Sequence, residues 1–185
     1  MRRLGLIALG LVLIALALFA RQGFQHENQP GPLPVAPEST ATSVRSVPLW
    51  FASADGDSLV LEPRDLAEQS GLHPRLAALV AALEQGPRGD GARTLPQGTS
   101  LQHAYLDETG LLTLDLSPAF RQGFQGGARV EELVVGSLVR TVSANVPEAT
   151  RIRIVCGGAA FTSLGGHFPL DRPLDPRRNF ALPGG

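Results

Sequence analysis

Glu131-Glu132-Leu133-Val134-Val135-Gly136-Ser137-Leu138-Val139-Arg140-Thr141-Val142 leads through Asn145-Val146-Pro147 to Arg151-Ile152-Arg153-Ile154-Val155-Cys156-Gly157-Gly158, and then to Ser163-Leu164-Gly165-Gly166-His167-Phe168-Pro169-Leu170. Val130, Leu133, Val134, Ser137, Leu138, Thr141 and Val142 recur at helical spacing, so the first part reads as an amphipathic helix. The second part alternates Ile152, Ile154 and Cys156 inward with Arg151 and Arg153 outward, the pattern of a strand. The third part is a glycine-rich turn. Helix, strand and turn together are a signature of fold, and they contain no catalytic constellation.

Elements preceding this stretch follow the same logic. Val47 to Ala52 and Leu59-Val60-Leu61 read as strands separated by Asp55-Gly56-Asp57. A helix is predicted from Pro74 to Gln85, with Leu76, Leu79, Val80 and Leu83 as its apolar stripe and Gly86-Pro87 as its stop. Leu101 to Leu106 and Leu111 to Leu116 form a hairpin about Asp107-Glu108-Thr109-Gly110, with Leu112, Leu114 and Leu116 on one face. The resulting expectation is an α+β domain over residues 47–182, a mixed β-sheet with two helices packed on one face.

Two further segments precede that domain. Leu4 to Ala20 is an unbroken apolar run flanked by Arg2, Arg3 and Arg21. As a helix it spans about 25 Å, close to the hydrocarbon thickness of a bilayer. Residues 1–21 are therefore expected to be a transmembrane anchor, or a signal segment, with the amino terminus inside. Ala15-Leu16-Ala17 satisfies a signal-peptidase pattern, but Leu18 and Phe19 after it stay apolar, which favours an uncleaved anchor. No cysteine near the end of the run supplies a site for lipid attachment. Residues 22–46, with Pro30, Pro32, Pro34 and Pro37, read as a proline-rich tether that buries too little surface to fold. The domain is thereby expected on the extracytoplasmic, periplasmic side of the inner membrane.

Composition excludes several functions. Sixteen basic residues, all arginine, stand against 17 acidic ones for a net charge of -1, which argues against nucleic acid as a partner. One cysteine, Cys156, rules out an internal disulfide.

With these elements placed, the chain resembles the GerMN domain, the module named for the spore germination protein GerM. The resemblance rests on Val47-Pro48-Leu49-Trp50-Phe51, Leu83-Glu84-Gln85-Gly86-Pro87, Leu95-Pro96-Gln97-Gly98-Thr99 and Leu112-Thr113-Leu114-Asp115-Leu116-Ser117 with Phe120. It continues in Ser137-Leu138-Val139-Arg140-Thr141, Ile152 to Gly157 and Leu164-Gly165-Gly166-His167. The resemblance implies an envelope-associated α+β domain with no known catalytic residue or cofactor, and a fold similar to ring-building modules of sporulation assemblies. Some members carry two copies; this chain has one, behind a transmembrane anchor in place of a lipid anchor.

Residues that could carry chemistry have ordinary readings beside the functional ones. His73, His103 and His167 lack the spacing of metal ligands. Cys156 could pair with His167 as a nucleophile, but its strand face favours a small core residue. Asp107, Asp115 and Asp171 lie near strand ends and read equally as turn or solvent-facing residues. Gly126-Gly127 could cradle a phosphate at a helix start, but Glu131 and Glu132 in the opening turn would repel one. Arg88-Gly89-Asp90 reproduces an adhesion tripeptide in a glycine-rich loop, too short a match to carry weight. Catalytic, cofactor and metal sites are thus expected to be none.

One feature exceeds this. Val135, Gly136 and Val139 widen the apolar stripe of the second helix, which makes that flank a possible interface if the domain leaves it uncovered. The function expected is a non-enzymatic, membrane-anchored module acting by protein–protein interaction in an envelope or sporulation-type assembly, with an envelope protein or a second copy as partner. A cell-wall glycan-binding module is the alternative, which a cluster of Trp50 and Tyr105 with carboxylates would favour. An envelope hydrolase is the weaker one, which a cleft joining His103 or His167 to Asp115 would favour.

Overall fold

The computed structural model describes residues 43–180. The expected anchor over 1–21 and the tether up to residue 42 lie outside the described residues. Among those described, no helix is long and apolar enough to cross a membrane. The elements run β1 (Val44–Ala52), β2 (Leu59–Ala67), α1 (Leu72–Gln85), β3 (Leu101–Leu106), β4 (Leu111–Leu116), α2 (Ala119–Gln122), α3 (Ala128–Asn145), β5 (Arg151–Cys156) and α4 (Pro176–Asn179).

The α+β class holds, but the strands divide into two sheets where the sequence suggests one. β1 and β2 form an antiparallel pair, while β3, β4 and β5 form a second sheet in that order, antiparallel then parallel. Helix α3 is the crossover between the parallel strands β4 and β5, and it packs mainly on β1; α1 packs mainly on β3. The two helices therefore serve different sheets.

β1 starts at Val44, so Val44-Arg45-Ser46 of the expected tether pair with Asp65-Leu66-Ala67. β2 is likewise longer than Leu59-Val60-Leu61, because Glu62-Pro63-Arg64-Asp65 continues the strand through what looks like a break. Pro63 lies opposite Pro48, a pair in which neither residue needs to donate to the ladder. Arg64 is 3% exposed because its guanidinium reaches the end of α1. Its Nη1 donates to the carbonyls of Ala82 and Gly86 at 3.1 Å each, carbonyls that the helix leaves unpaired, and it lies over the Phe51 ring.

Inward positions follow the sequence pattern closely. Leu76, Leu79, Val80 and Leu83 of α1, Leu112, Leu114 and Leu116 of β4, and Ile152 and Ile154 of β5 are all buried. α1 begins at Leu72, which places Pro74 inside the first turn, where a missing N–H costs nothing. Val130 departs from its predicted stripe and is exposed, one residue before the helix reaches the body of the domain.

Val135, Gly136 and Val139, the flank expected to meet a partner, are buried, the two valines with no exposure at all. Leu59 of β2 and Phe180 beyond α4 lie over Gly136, where an added Cβ would approach Leu59 Cδ1 and Phe180 Cδ1 to 3.0 Å. Leu59 and Phe180 thus lie over Gly136, and all three residues are buried within the described domain.

Candidate functional site: the groove beside Trp50

Trp50 is held by a polar row on α3. Ser137, Thr141 and Asn145 recur every four residues and face β1 where it has no strand neighbour. Trp50 N–H donates to Thr141 Oγ1 at 3.0 Å, Ser137 Oγ donates to the Trp50 carbonyl at 2.5 Å, and Asn145 Nδ2 donates to the Pro48 carbonyl at 2.9 Å. Three side chains thereby replace a neighbouring strand and fix the backbone at Trp50. Thr94 Oγ1 lies 2.7 Å from Ser137 Oγ and ties the following loop to the same row.

The half-buried indole of Trp50 opens on a groove of about 710 Å³ between α3, the α3–β5 loop and α4. Ala144, Pro147 and Ala149 give it an apolar floor, and Ser143 and Thr150 add hydroxyls. Arg140 stacks its guanidinium 5.1 Å from the centre of the Trp50 ring, and its Nε donates to the Phe180 carbonyl at 3.1 Å. Burial pulls this guanidinium below its ordinary pKa. Arg177 stands exposed on the rim. Asp175, the groove's carboxylate, already accepts the Arg177 N–H at 2.9 Å as the cap of α4. The groove is therefore apolar at its base, with two arginines and one carboxylate at its edge.

A second organised feature lies at the other end of α3. Glu131 is fully buried, and its carboxylate accepts the Leu164 N–H at 2.8 Å and the His167 N–H at 2.9 Å. Burial alone would raise its pKa; the N–H groups of Gly165, His167, Leu164 and Phe168 outweigh that and bring it below the ordinary value. His167 Nδ1 sits 3.3 Å away on the rim. Gly165 is required here, since a Cβ would come within 2.8 Å of the Phe124 ring and 3.2 Å of the carboxylate. The glycine turn after β5 is thus a backbone cradle for an internal anion, and Glu131 acts as its anchor.

The other candidate residues are dispersed. His73 Nε2 lies 3.1 Å from the Gln102 carbonyl. His103 is opposite Asp115 in the β3–β4 register, yet Asp115 is buried and accepts the Gly158 N–H at 2.9 Å, contrary to a solvent-facing role. The cleft that would favour a hydrolase does not form from these residues, because His167 goes to Glu131 and Asp115 to Gly158. Asp107 accepts the N–H groups of Thr109 and Leu111, both at 2.9 Å, and shapes the hairpin turn. Asp171 is exposed. Cys156 is half-buried and donates to the Ser117 carbonyl at 3.2 Å; burial pushes its thiol up, and the nearby Asp115 charge adds to this. Arg88-Gly89-Asp90 is tied down through Glu62, which accepts the N–H groups of Arg88 and Gly89 at 3.0 and 3.1 Å. Tyr105 is 68% exposed on β3 and does not line the Trp50 groove. Among the described residues, no three His, Cys, Asp or Glu side chains gather as a metal would require.

Sequence reasoning overlooked the groove because its parts come from four places in the chain. Two signals were nonetheless present: the polar spacing of Ser137, Thr141 and Asn145, and Asp175-Pro176, a capping residue followed by a first-turn proline.

Comparison with known proteins agrees with this fold. Residues 48–161 match the family model described as Germane, sporulation and spore germination, and the chain belongs to that family. No curated protein sequence matches it. Among solved structures, the tandem GerMN domains of the sporulation protein GerM from Bacillus subtilis align with a TM-score of 0.60 at 16% identity, covering 74% of this chain and 48% of that one. The first GerMN domain of the same protein aligns at 0.54 and 16% identity, over 72% of this chain and 98% of that one. A candidate lipoprotein from Clostridium perfringens aligns at 0.52 and 21% identity, over 74% and 89%. At these identities the likeness is one of fold.

Proposed function

We propose that this member of the Germane family is a non-enzymatic, membrane-anchored extracytoplasmic module that acts by protein–protein interaction in an envelope or sporulation-type assembly. The observation that carries this reading is the groove beside Trp50, a concave, largely apolar surface whose hydroxyls and carboxylate already hold the fold. Ser143 Oγ donates to the Arg140 carbonyl, Thr150 Oγ1 donates to the Gly110 carbonyl, and Asp175 caps α4. Such a surface is suited to holding a partner and poorly equipped for proton transfer. The apolar run Leu4 to Ala20 supplies the anchor, and the family's place in sporulation and spore germination supplies the setting.

The glycan-binding alternative draws on Trp50 and Asp175 sharing one groove. It is the second reading because Arg140 occupies a face of the indole, the surface on which a sugar would stack.

The test is site-specific photo-crosslinking of the full chain in its native envelope. A crosslinker at Ser143, in the groove, is expected to give one discrete protein adduct, while one at Tyr105 gives none. Equal labelling from both positions, or none from Ser143, would overturn the reading; an adduct of glycan mass would transfer it to the alternative.

A further inference from the structure

The described chain reaches its last residue at the groove itself. Phe180 lines the groove, and two contacts hold it there. Its ring stacks on Phe168 with centroids 5.3 Å apart, and its carbonyl accepts the Arg140 Nε–H at 3.1 Å. Residue 181 therefore starts at the rim. Residues two and three places beyond Phe180 extend about 7–10 Å from it, a distance comparable with the width of a groove of about 710 Å³. The segment that follows, Ala181-Leu182-Pro183-Gly184-Gly185, carries no charged side chain. Leu182 and Pro183 supply apolar surface, and Pro183 has no N–H to leave unpaired against the apolar floor of Ala144, Pro147 and Ala149. The match is one of apolar surface, so the charges at the rim do not select the occupant. Attachment adds to it: a segment joined this closely to its site is present there at a millimolar effective concentration, which populates a contact too weak to hold a free peptide.

We infer that Leu182 and Pro183 seat on this floor beside Trp50, so that the chain's own segment Ala181 to Gly185 covers the groove until a partner displaces it. This rests on the interaction reading above and gives that same site an internal competitor. A partner's apparent affinity then falls in proportion to the fraction of molecules whose groove stands open.

Trp50 is the chain's one tryptophan, so quenching of its emission by acrylamide reports on the groove directly. The full chain in detergent micelles is compared with a variant that stops at Phe180 and with Leu182→Asp. Both changes are expected to raise the quenching of Trp50 and to leave the thermal melt unchanged, because Phe180 and its contacts are retained. A blocked Ala-Leu-Pro-Gly-Gly peptide added to the shortened chain should restore protection at or below about the millimolar effective concentration of the attached segment, and its Leu-to-Asp counterpart should not. A photo-crosslinker at Ser143 in the purified full chain should link to residues 181–185 of the same molecule. Unchanged quenching in the shortened chain would overturn the inference, as would equal restoration by the two peptides. A Ser143 link between two chains would make a second copy the occupant and overturn it too. In the native envelope the shortened chain should give about twofold or more of the Ser143 partner adduct, the gain expected where the groove is covered at least half the time. A partner adduct that shortening does not change would leave the interaction reading standing and remove only the internal cover. The internal link without a partner adduct from either chain would do the reverse.

Discussion

Trp50 N–H donates to Thr141 Oγ1 at 3.0 Å, so a β-strand residue gives its backbone hydrogen bond to a side chain of a helix. With the Ser137 and Asn145 bonds beside it, this contact explains why β1 carries one strand partner and why the domain has two sheets. It also explains why three polar residues are buried in the helix that packs most closely on β1.

Removing one partner of such a pair leaves a buried donor unsatisfied, which costs more than the bond itself contributes. Thr141→Val preserves the shape and deletes only the acceptor. It is expected to destabilise the domain by about 1–3 kcal/mol. Ser137→Ala should cost a similar amount, and the double variant less than the sum, since both serve Trp50. Urea melts followed by Trp50 emission measure this; additive losses would show that the two bonds act independently.

The covered flank of α3 gives a second expectation. Val139 has no exposure, so Val139→Glu places a charge in the core and should unfold the domain outright, not merely disturb association. Gly136→Ala is the milder probe. Its added methyl meets side-chain atoms of Leu59 and Phe180 at 3.0 Å, which must give way, at a cost of about 1–3 kcal/mol. A Val139→Glu variant that keeps a wild-type melt would mean that Val139 is not buried in solution.

These residues mark where the sequence was legible. Periodicity identified α1, α3, β4 and β5, because Leu76 to Leu83 and Leu112 to Leu116 bury one face with no help from distant chain. It failed at β2, where Pro63 and Arg64 look like a break and are explained only by Pro48 across the ladder and the end of α1 beneath. It did not foresee that Val135, Gly136 and Val139 are buried, because residues distant in the chain, such as Phe180 over Gly136, supply cover that no local pattern announces. The groove was illegible for the same reason: Trp50, Arg140 and Asp175 meet only after the chain has folded. Glu131 was read as a first-turn carboxylate that would repel an anion, when its partners are N–H groups more than 30 residues downstream.

Glu131 makes stability depend on acid in a definite direction. Its folded pKa lies below its ordinary value, so the carboxylate contributes stability above the unfolded pKa of about 4.3 and loses it as pH falls through the folded value. Glu131→Gln should lower stability at neutral pH by about 1–3 kcal/mol, for the loss of a charged acceptor to buried N–H groups. It should also flatten the pH dependence below about pH 5. Melts from pH 7 to 3 on both proteins test this, and parallel curves would assign the acid sensitivity to other carboxylates.

Cys156 supplies the last expectation. Its thiol is half-buried, hydrogen-bonded to the Ser117 carbonyl and raised in pKa chiefly by burial, so little thiolate is present near neutrality. Maleimide labelling of the native protein at pH 7 should therefore be slower than that of the urea-unfolded chain by at least about tenfold, since both access and thiolate fraction fall. Cys156→Ala should cost about 1–2 kcal/mol, less than a fully buried aliphatic residue, because part of the side chain already meets solvent. The same variant should keep the Trp50 emission spectrum of the parent, because Cys156 does not line the groove. A native thiol that labels as fast as the unfolded one would instead place Cys156 on an open surface, and would reopen its pairing with a base as a question of chemistry.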